Sequence, residues 1–307
     1  MDGILNINKP WGKTSFSIVA MVKRLSGERR VGHAGTLDPA ATGVLPVCLG
    51  QGTRVTEFLV DATKTYLAQI ELGVATDTHD ATGRGIQQGN PAGISQEQLE
   101  AALTSFCGLI QQTPPMYSAV KHHGKPLYEL ARAGIKVERK SRPTRIYQLK
   151  LIDLNLPIFT IEIVCGKGTY IRSLAHDLGQ VLGCGANLKS LIRLRCGLFD
   201  IRNAVSVSQL DDAFHHGYWQ RFIYPIDTVL LHWAAMLVSN DVGRVIRNGG
   251  SLDLEDEDDR FEQETPPLSL AKNRCRVYTD DGCFLGVLRF NPERKQWQPE
   301  KVFSTAL

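Results

Sequence analysis

The chain has 307 residues, 43% of them hydrophobic and 22% charged, with a formal net charge of +3. This composition fits a globular protein and excludes a disordered chain, a collagen and a coiled coil; at roughly 150 residues per domain the length favours two domains with cores large enough to need no disulfide or metal staple. No run of 18 apolar residues occurs, and Met1 to Thr14 lack the apolar core and cleavage site of a secretory leader, so a cytoplasmic protein without membrane contact is expected.

Taken in chain order, Ser15 is expected to cap a first helix, with Phe16, Val19 and Val22 at helical spacing and Gly27 as its stop. The stretch Val31-Gly32-His33-Ala34-Gly35-Thr36-Leu37-Asp38-Pro39 follows. Its glycines permit tight turns, and Pro39 pushes Asp38 out of the α region, leaving that carboxylate free on a loop. Residues 65–73 read as a strand with Tyr66, Ala68, Ile70 and Leu72 on one face. Residues 76–90 read as a loop, 95–108 as a helix capped by Ser95, and 127–134 as a short helix ended by Gly134. Residues 158–165 alternate as a strand with Phe159, Ile161 and Ile163 inward; after the turn Gly166-Lys167-Gly168, Thr169 is expected to cap a helix carrying Ile171, Leu174, Ala175, Leu178 and Val181 on one face. That unit places Tyr170 and Arg172 at a helix N-terminus just beyond a strand. After Pro225 the composition shifts, with a helix over 237–248 and two strands in 273–290 around the hairpin signal Asp281-Gly282. The class is α+β, with a small β-rich second domain from about residue 235.

Charge is uneven. Residues 121–150 carry nine Lys/Arg against two Glu, with Tyr128 and Tyr147 interleaved and Tyr117 just before, whereas residues 253–264 carry eight acids against one Arg. The basic block suits phosphate neutralisation and base stacking, or simply a solvated face; the acidic block reads as a flexible solvated loop. The seven cysteines form no C-x-x-C pair, so buried reduced thiols are expected and no metal site. Gly12-Lys13-Thr14 ends like a phosphate-binding loop, but Ile7 stands where that loop needs its first glycine. Asp77-x-His79-Asp80 has Thr82 where a calcium loop needs glycine. Neither G-x-S-x-G nor G-x-G-x-x-G is present, so no cofactor is expected.

Taken together, several motifs resemble the TruB family of tRNA pseudouridine-55 synthases. They are Asn8-Lys9-Pro10; Gly32 to Pro39 followed by Ala41-Thr42-Gly43-Val44-Leu45; Lys64-x-Tyr66; Pro115-Met116-Tyr117-Ser118-Ala119-Val120-Lys121; Gly124-Lys125-x-Leu127-Tyr128-Glu129; Lys167-Gly168-Thr169-Tyr170-Ile171-Arg172; Leu182-Gly183-Cys184-Gly185-Ala186; and Leu191-x-Arg193-Leu194. The resemblance implies a pseudouridine-synthase catalytic domain over 1–230, with a mixed, largely antiparallel sheet flanked by helices, an RNA-clamping insertion at about 114–145, and a small PUA-like domain over 235–307. It implies that one uridine of the tRNA TΨC loop is flipped out and isomerised, without cofactor, metal or obligate protein partner, by a monomer. Asp38 matches the family's essential carboxylate, acting at C1′ or C6 or as a base through a glycal. Arg172 would pair with it, Tyr66 stack on the base, Tyr170 and Leu191 line the pocket, His33 hold the nucleotide out, and Lys64 support the pocket or a phosphate. Lys121, Lys125, Arg132 and Arg142 would contact RNA. Two other readings are a guide-RNA-dependent enzyme of the dyskerin branch, disfavoured by the uninterrupted 115–130 segment and the lack of basic tails, and a tRNA-folding protein with secondary catalysis.

Overall fold

The computed structural model describes residues 1–253 and 273–303. An 11-stranded mixed sheet forms its centre. Along the main path the strands run Val205–Ser206, Gly3–Lys9, Ala41–Leu49, Ala186–Cys196, Lys64–Leu72, Ile158–Cys165, Arg142–Asn155 and Gly108–Gln112. The pairings are antiparallel except at Gly3–Lys9 with Val205–Ser206 and at Ala41–Leu49 with Ala186–Cys196.

Lys64–Leu72 alternates in burial as its sequence does. Gly3–Lys9 and Ala41–Leu49 do not: both are buried along nearly their whole length, because elements cover both faces of the sheet there. On one face, Leu5, Ile7, Leu45 and Val47 pack in a large core with Ile171, Leu174, Ala175 and Leu178 of the helix Ile171–Val181. Each such side chain contributes about 2 kcal/mol of apolar burial. On the other face, Ile4, Val44 and Cys48 share a second core with Trp233, Val287 and Phe303.

Several local expectations are corrected. Thr14, not Ser15, caps the helix Ser15–Ser26, accepting from the Ser17 amide, while Ser15 is buried and serves the Asp38 loop instead. Thr169 does not cap the helix Ile171–Val181; its hydroxyl bonds Thr144 Oγ1 (2.6 Å) and the Gly166 carbonyl (3.1 Å). The helix entrance is held by Gln112, whose Oε1 accepts from the Tyr170 amide (2.7 Å) and whose Nε2 donates to the Tyr170 carbonyl (3.0 Å). Within 76–90 the chain is not all loop, since Gly85–Gln88 pairs with Val74–Thr76.

A five-stranded sheet follows, in the order Ala235–Val238, Arg274–Thr279, Phe284–Asn291, Gln296–Val302 and Leu252–Asp253, with the helix Asn240–Arg247 packed on it. The acidic segment lies, from residue 254 to 264, outside the described residues.

Candidate active site

Asp38 sits on the loop between the strand Val31–His33 and Ala41–Leu49. That loop is tied down from several sides. Ser15 Oγ accepts from the Leu37 amide (2.8 Å) and donates to the Leu37 carbonyl (3.0 Å), and the Gly12 amide donates to the Pro39 carbonyl (2.8 Å). The fully buried Lys9 ammonium donates to the carbonyls of Lys13 (2.7 Å), Pro10 (2.9 Å) and Pro39 (3.4 Å). Burial lowers the Lys9 pKa to about 8, an effect that the Asp38 charge opposes. Arg193, also buried, reaches the same loop by donating to the carbonyls of Val44 (2.6 Å) and Gly35 (3.1 Å).

Arg172, in the first turn of its helix and only 6% exposed, grips the Asp38 carboxylate with two nitrogens, Nε to Oδ2 at 2.9 Å and Nη2 to Oδ1 at 3.2 Å. The planar fork sets the carboxylate's direction as well as its charge. Arg172 also donates to the carbonyls of Tyr117 (2.9 Å) and Thr78 (3.4 Å) and faces Asp80 at 3.8 Å. A cation at a helix N-terminus opposes the helix dipole, and the two carboxylates offset that cost. Burial pushes the Asp38 carboxyl above the usual carboxylate range; the Arg172 guanidinium opposes this and the Asp80 charge adds to it. The Asp38 side chain keeps 40% exposure toward the cleft, so water moderates the rise and a reactant has access.

Tyr66 pairs with Arg193 in the adjacent strand; burial pushes its pKa up to about 12, an effect that the nearby Arg193 guanidinium opposes. Leu191 pairs with Ala41 on one side and Ala68 on the other, between the strand that follows Asp38 and the strand of Tyr66. Tyr170, half-buried at the helix entrance, feels both Asp38 and Arg172, and burial raises its pKa. His33 precedes the loop; burial, and then Arg193, lower its pKa, which keeps the ring neutral at pH 7.

For Lys64 the resemblance implies support of the pocket or of a phosphate. Its ammonium is taken up by the carbonyls of Val60 (2.5 Å), Ala62 (2.6 Å) and Leu59 (3.1 Å) at the end of the helix Thr56–Asp61, which leaves it unavailable to a phosphate. Lys121, Lys125, Arg132 and Arg142 are exposed on the segment that includes the hairpin Lys121–Pro126 and the helix Leu127–Arg132, and none of them enters an ion pair among the described residues. The Tyr117 carbonyl joins this segment to Arg172.

Sequence reasoning missed three site residues. Asp80 was weighed only as a calcium ligand, yet its Oδ1 is locked by Thr82 Oγ1 (2.6 Å), Thr78 Oγ1 (2.7 Å) and the Thr82 amide (3.0 Å), with Oδ2 turned to Arg172. His79, beside it at φ 64, stacks on His176 with centroids 4.0 Å apart, and burial lowers its pKa to about 4, so a neutral ring pins the Asp80 turn. Arg193 had two signals, its place in the motif Leu191-x-Arg193-Leu194 and its charge inside an otherwise apolar run, though neither attaches a role to it. A crevice of about 740 Å³ lined by Asn8, Met21, Arg24 and Ser206 includes none of Asp38, Tyr66, Tyr170 and Arg172.

Residues 23–171 match the model of the TruB family pseudouridylate synthase N-terminal domain, and residues 172–231 match that of the tRNA pseudouridylate synthase B C-terminal domain. The chain belongs to the TruB family of pseudouridylate synthases. It is an isomerase. Among TruB relatives, a tRNA pseudouridine synthase B of Dehalococcoides mccartyi is 44% identical over 304 residues, 99% of this chain and 97% of the relative. One of Clostridium kluyveri is 40% identical over 94% of this chain and 95% of the relative. A chain solved in a Cbf5-Nop10-Gar1 complex superposes on this TruB protein with a TM-score of 0.74 and 25% identity, over 98% of this chain and 85% of that chain. The likeness agrees with the α+β class, a mixed sheet with helices followed by a small β domain. Among the described residues no helix is long and apolar enough to cross a membrane.

Proposed function

We propose that the chain isomerises uridine 55 in the TΨC loop of tRNA to pseudouridine, with Asp38 as the catalytic carboxylate. The observation that carries this reading is the two-point Arg172–Asp38 pair, whose carboxylate stays 40% exposed close to Tyr170. Relatives of 40–45% identity named tRNA pseudouridine synthase B supply the substrate class.

A base stacked in an RNA loop is out of reach, so the uridine is flipped into the cleft, at a cost of a few kcal/mol that stacking and phosphate contacts offset. The N1–C1′ bond breaks, the uracil turns, C5 bonds to C1′, the C5 proton leaves and N1 takes up a proton in its place; no electrons or groups are gained or lost overall. Asp38, ionised and oriented, supplies the negative charge at the reacting sugar or base. Tyr66, with its pKa near 12, is a neutral phenol at pH 7 and acts as a stacking face and hydrogen-bond donor. Tyr170, Leu191 and His33 bound the nucleotide, and Lys121, Lys125, Arg132 and Arg142 hold its phosphates. Lys64 supports the pocket only indirectly, by fixing the helix Thr56–Asp61 against the strand of Tyr66.

The chain is read as a stand-alone enzyme because its identity to the tRNA pseudouridine synthase B relatives, at 40–45%, exceeds the 25% shared with the chain from the Cbf5-Nop10-Gar1 complex. The five-stranded sheet after residue 235 is read as a PUA-like module.

The test is tritium release from C5-labelled uridine in an unmodified T stem-loop. Wild type releases label from position 55, and Asp38→Asn falls to background while its affinity for the stem-loop stays within a few-fold. Turnover that survives in Asp38→Asn, or label released elsewhere, overturns the assignment.

A further inference from the structure

Among the described residues, the two most exposed large apolar side chains are Phe16, at 75%, and Trp11, at 72%. They are five positions apart, at the turn between the strand Gly3–Lys9 and the helix Ser15–Ser26. That turn is the part of the chain bonded to the Asp38 loop. The amide of Gly12, next to Trp11, donates to the Pro39 carbonyl, and Ser15, next to Phe16, closes both hydrogen bonds with Leu37. Each aromatic is therefore one residue from a group that holds a direct neighbour of Asp38. Neither ring belongs to the apolar cores on either face of the sheet.

The surroundings are cationic. From Gly3 to Gly27 the sequence contains no Asp or Glu, while Lys13, Lys23 and Arg24 are exposed. Phe16, Ala20 and Lys23 share the solvent face of the helix at i, i+4 and i+7. Exposed aromatic faces on a segment whose own charges are all cationic match unpaired nucleotides, whose bases stack and whose phosphates pair with Lys and Arg.

We propose that Trp11 and Phe16 form a second stacking platform, outside the catalytic pocket, for unpaired bases of the same RNA whose uridine enters the cleft. The inference rests on the pseudouridine-synthase reading for its ligand, and it adds a contact surface distinct from the cleft. Because the turn and the Asp38 loop are bonded together, a base seated on the platform fixes the register of the strand relative to the carboxylate. The platform then acts on capture and alignment of the RNA, and less on the chemical step.

Trp11 provides the readout. Of the four tryptophans, Trp219 and Trp233 are buried and Trp297 is partly buried, so Trp11 dominates the solvent-exposed indole signal. The full-length Asp38→Asn chain, titrated with an unmodified T stem-loop, should show saturable fluorescence quenching that disappears in the Asp38→Asn, Trp11→Phe double variant. In the otherwise wild-type chain, Trp11→Ala or Phe16→Ala should raise KM for the stem-loop roughly tenfold while kcat falls less than twofold, and Trp11→Phe should restore KM. Both side chains are exposed, so melting temperatures should not move. KM within twofold of wild type in the Trp11→Ala, Phe16→Ala double variant overturns the platform, as does RNA binding without quenching. Self-association that depends on Trp11, with RNA affinity unchanged, identifies a protein-docking face and also overturns it. Quenching by RNA in a chain whose wild type releases no tritium supports the platform while rejecting the assigned reaction, so the two readings fail separately.

Discussion

At the scale of single residues, the decisive contact is the fork of Arg172 on Asp38, two nitrogens to two oxygens at 2.9 and 3.2 Å. A lysine at 172 would keep one positive charge but could not set the angle of the carboxylate. Arg172→Lys is expected to lower kcat about 100-fold, the size of loss that a misplacement of roughly 1 Å produces, with stem-loop affinity within a few-fold. The pH profile adds a check. Burial raises the Asp38 pKa, so the acid limb of kcat/KM lies above the ordinary carboxylate range, with activity lost as pH falls and Asp38 takes up its proton. Single-turnover tritium release across pH measures both; a lysine variant with near-normal turnover removes the aiming role. Asp38 and Arg172 were both legible in the sequence, one as a carboxylate pinned to a loop by Pro39, the other as a cation in the first turn after a strand. Asp80 was not, because its partner lies 92 positions away and only the fold brings the two together. The carbonyls that take up the Lys64 ammonium were hidden likewise, since the helix end that presents them beside the strand is visible only in three dimensions.

At the scale of elements, the Asp38 loop depends on how closely two strands approach. Gly43 holds φ +102, and a Cβ there would stand 2.3 Å from the Arg193 carbonyl oxygen and 2.8 Å from its amide nitrogen. Both are backbone atoms of the paired strand, with no flexible side chain to swing aside. Gly43→Ala is expected to cost about 3 kcal/mol or more, lowering Tm by about 10 °C, and to separate Arg193 from the Val44 and Gly35 carbonyls. Thermal unfolding followed by circular dichroism checks the cost; an unchanged Tm would mean that the strands can part without penalty. The strands Lys64–Leu72 and Ile158–Cys165 were readable from their alternation. Gly3–Lys9 and Ala41–Leu49 lacked a clear period because elements cover both faces of the sheet, and Ala186–Cys196 because register shifts at Leu188/Ser190 and Arg193/Arg195 interrupt its alternation. Ser15 shows a subtler failure: both it and Thr14 are competent caps, and the choice was decided by the demand of Leu37 for a partner.

At the scale of the whole molecule, charge is distributed for capture rather than for cohesion. Lys121, Lys125, Arg132 and Arg142 are exposed and without ion-pair partners among the described residues, on a segment that reaches Arg172 through the Tyr117 carbonyl. Replacing all four with Gln should weaken stem-loop binding and reduce the slope of log K against log salt by about 3, if each cation displaces close to one counterion. Filter binding from low to moderate salt tests this, and an unchanged slope assigns the phosphate contacts to other cations. The two sheets are also joined more firmly than a string of separate modules would be. Val287 and Phe303 of the last strands share an apolar cluster with Ile4, Val44 and Cys48. Those three side chains lie on the reverse side of the very strands whose obverse packs beneath the catalytic helix. During synthesis, therefore, the back of Gly3–Lys9 stays open to water until Val287 and Phe303, some 280 to 300 positions later, have emerged and packed against it.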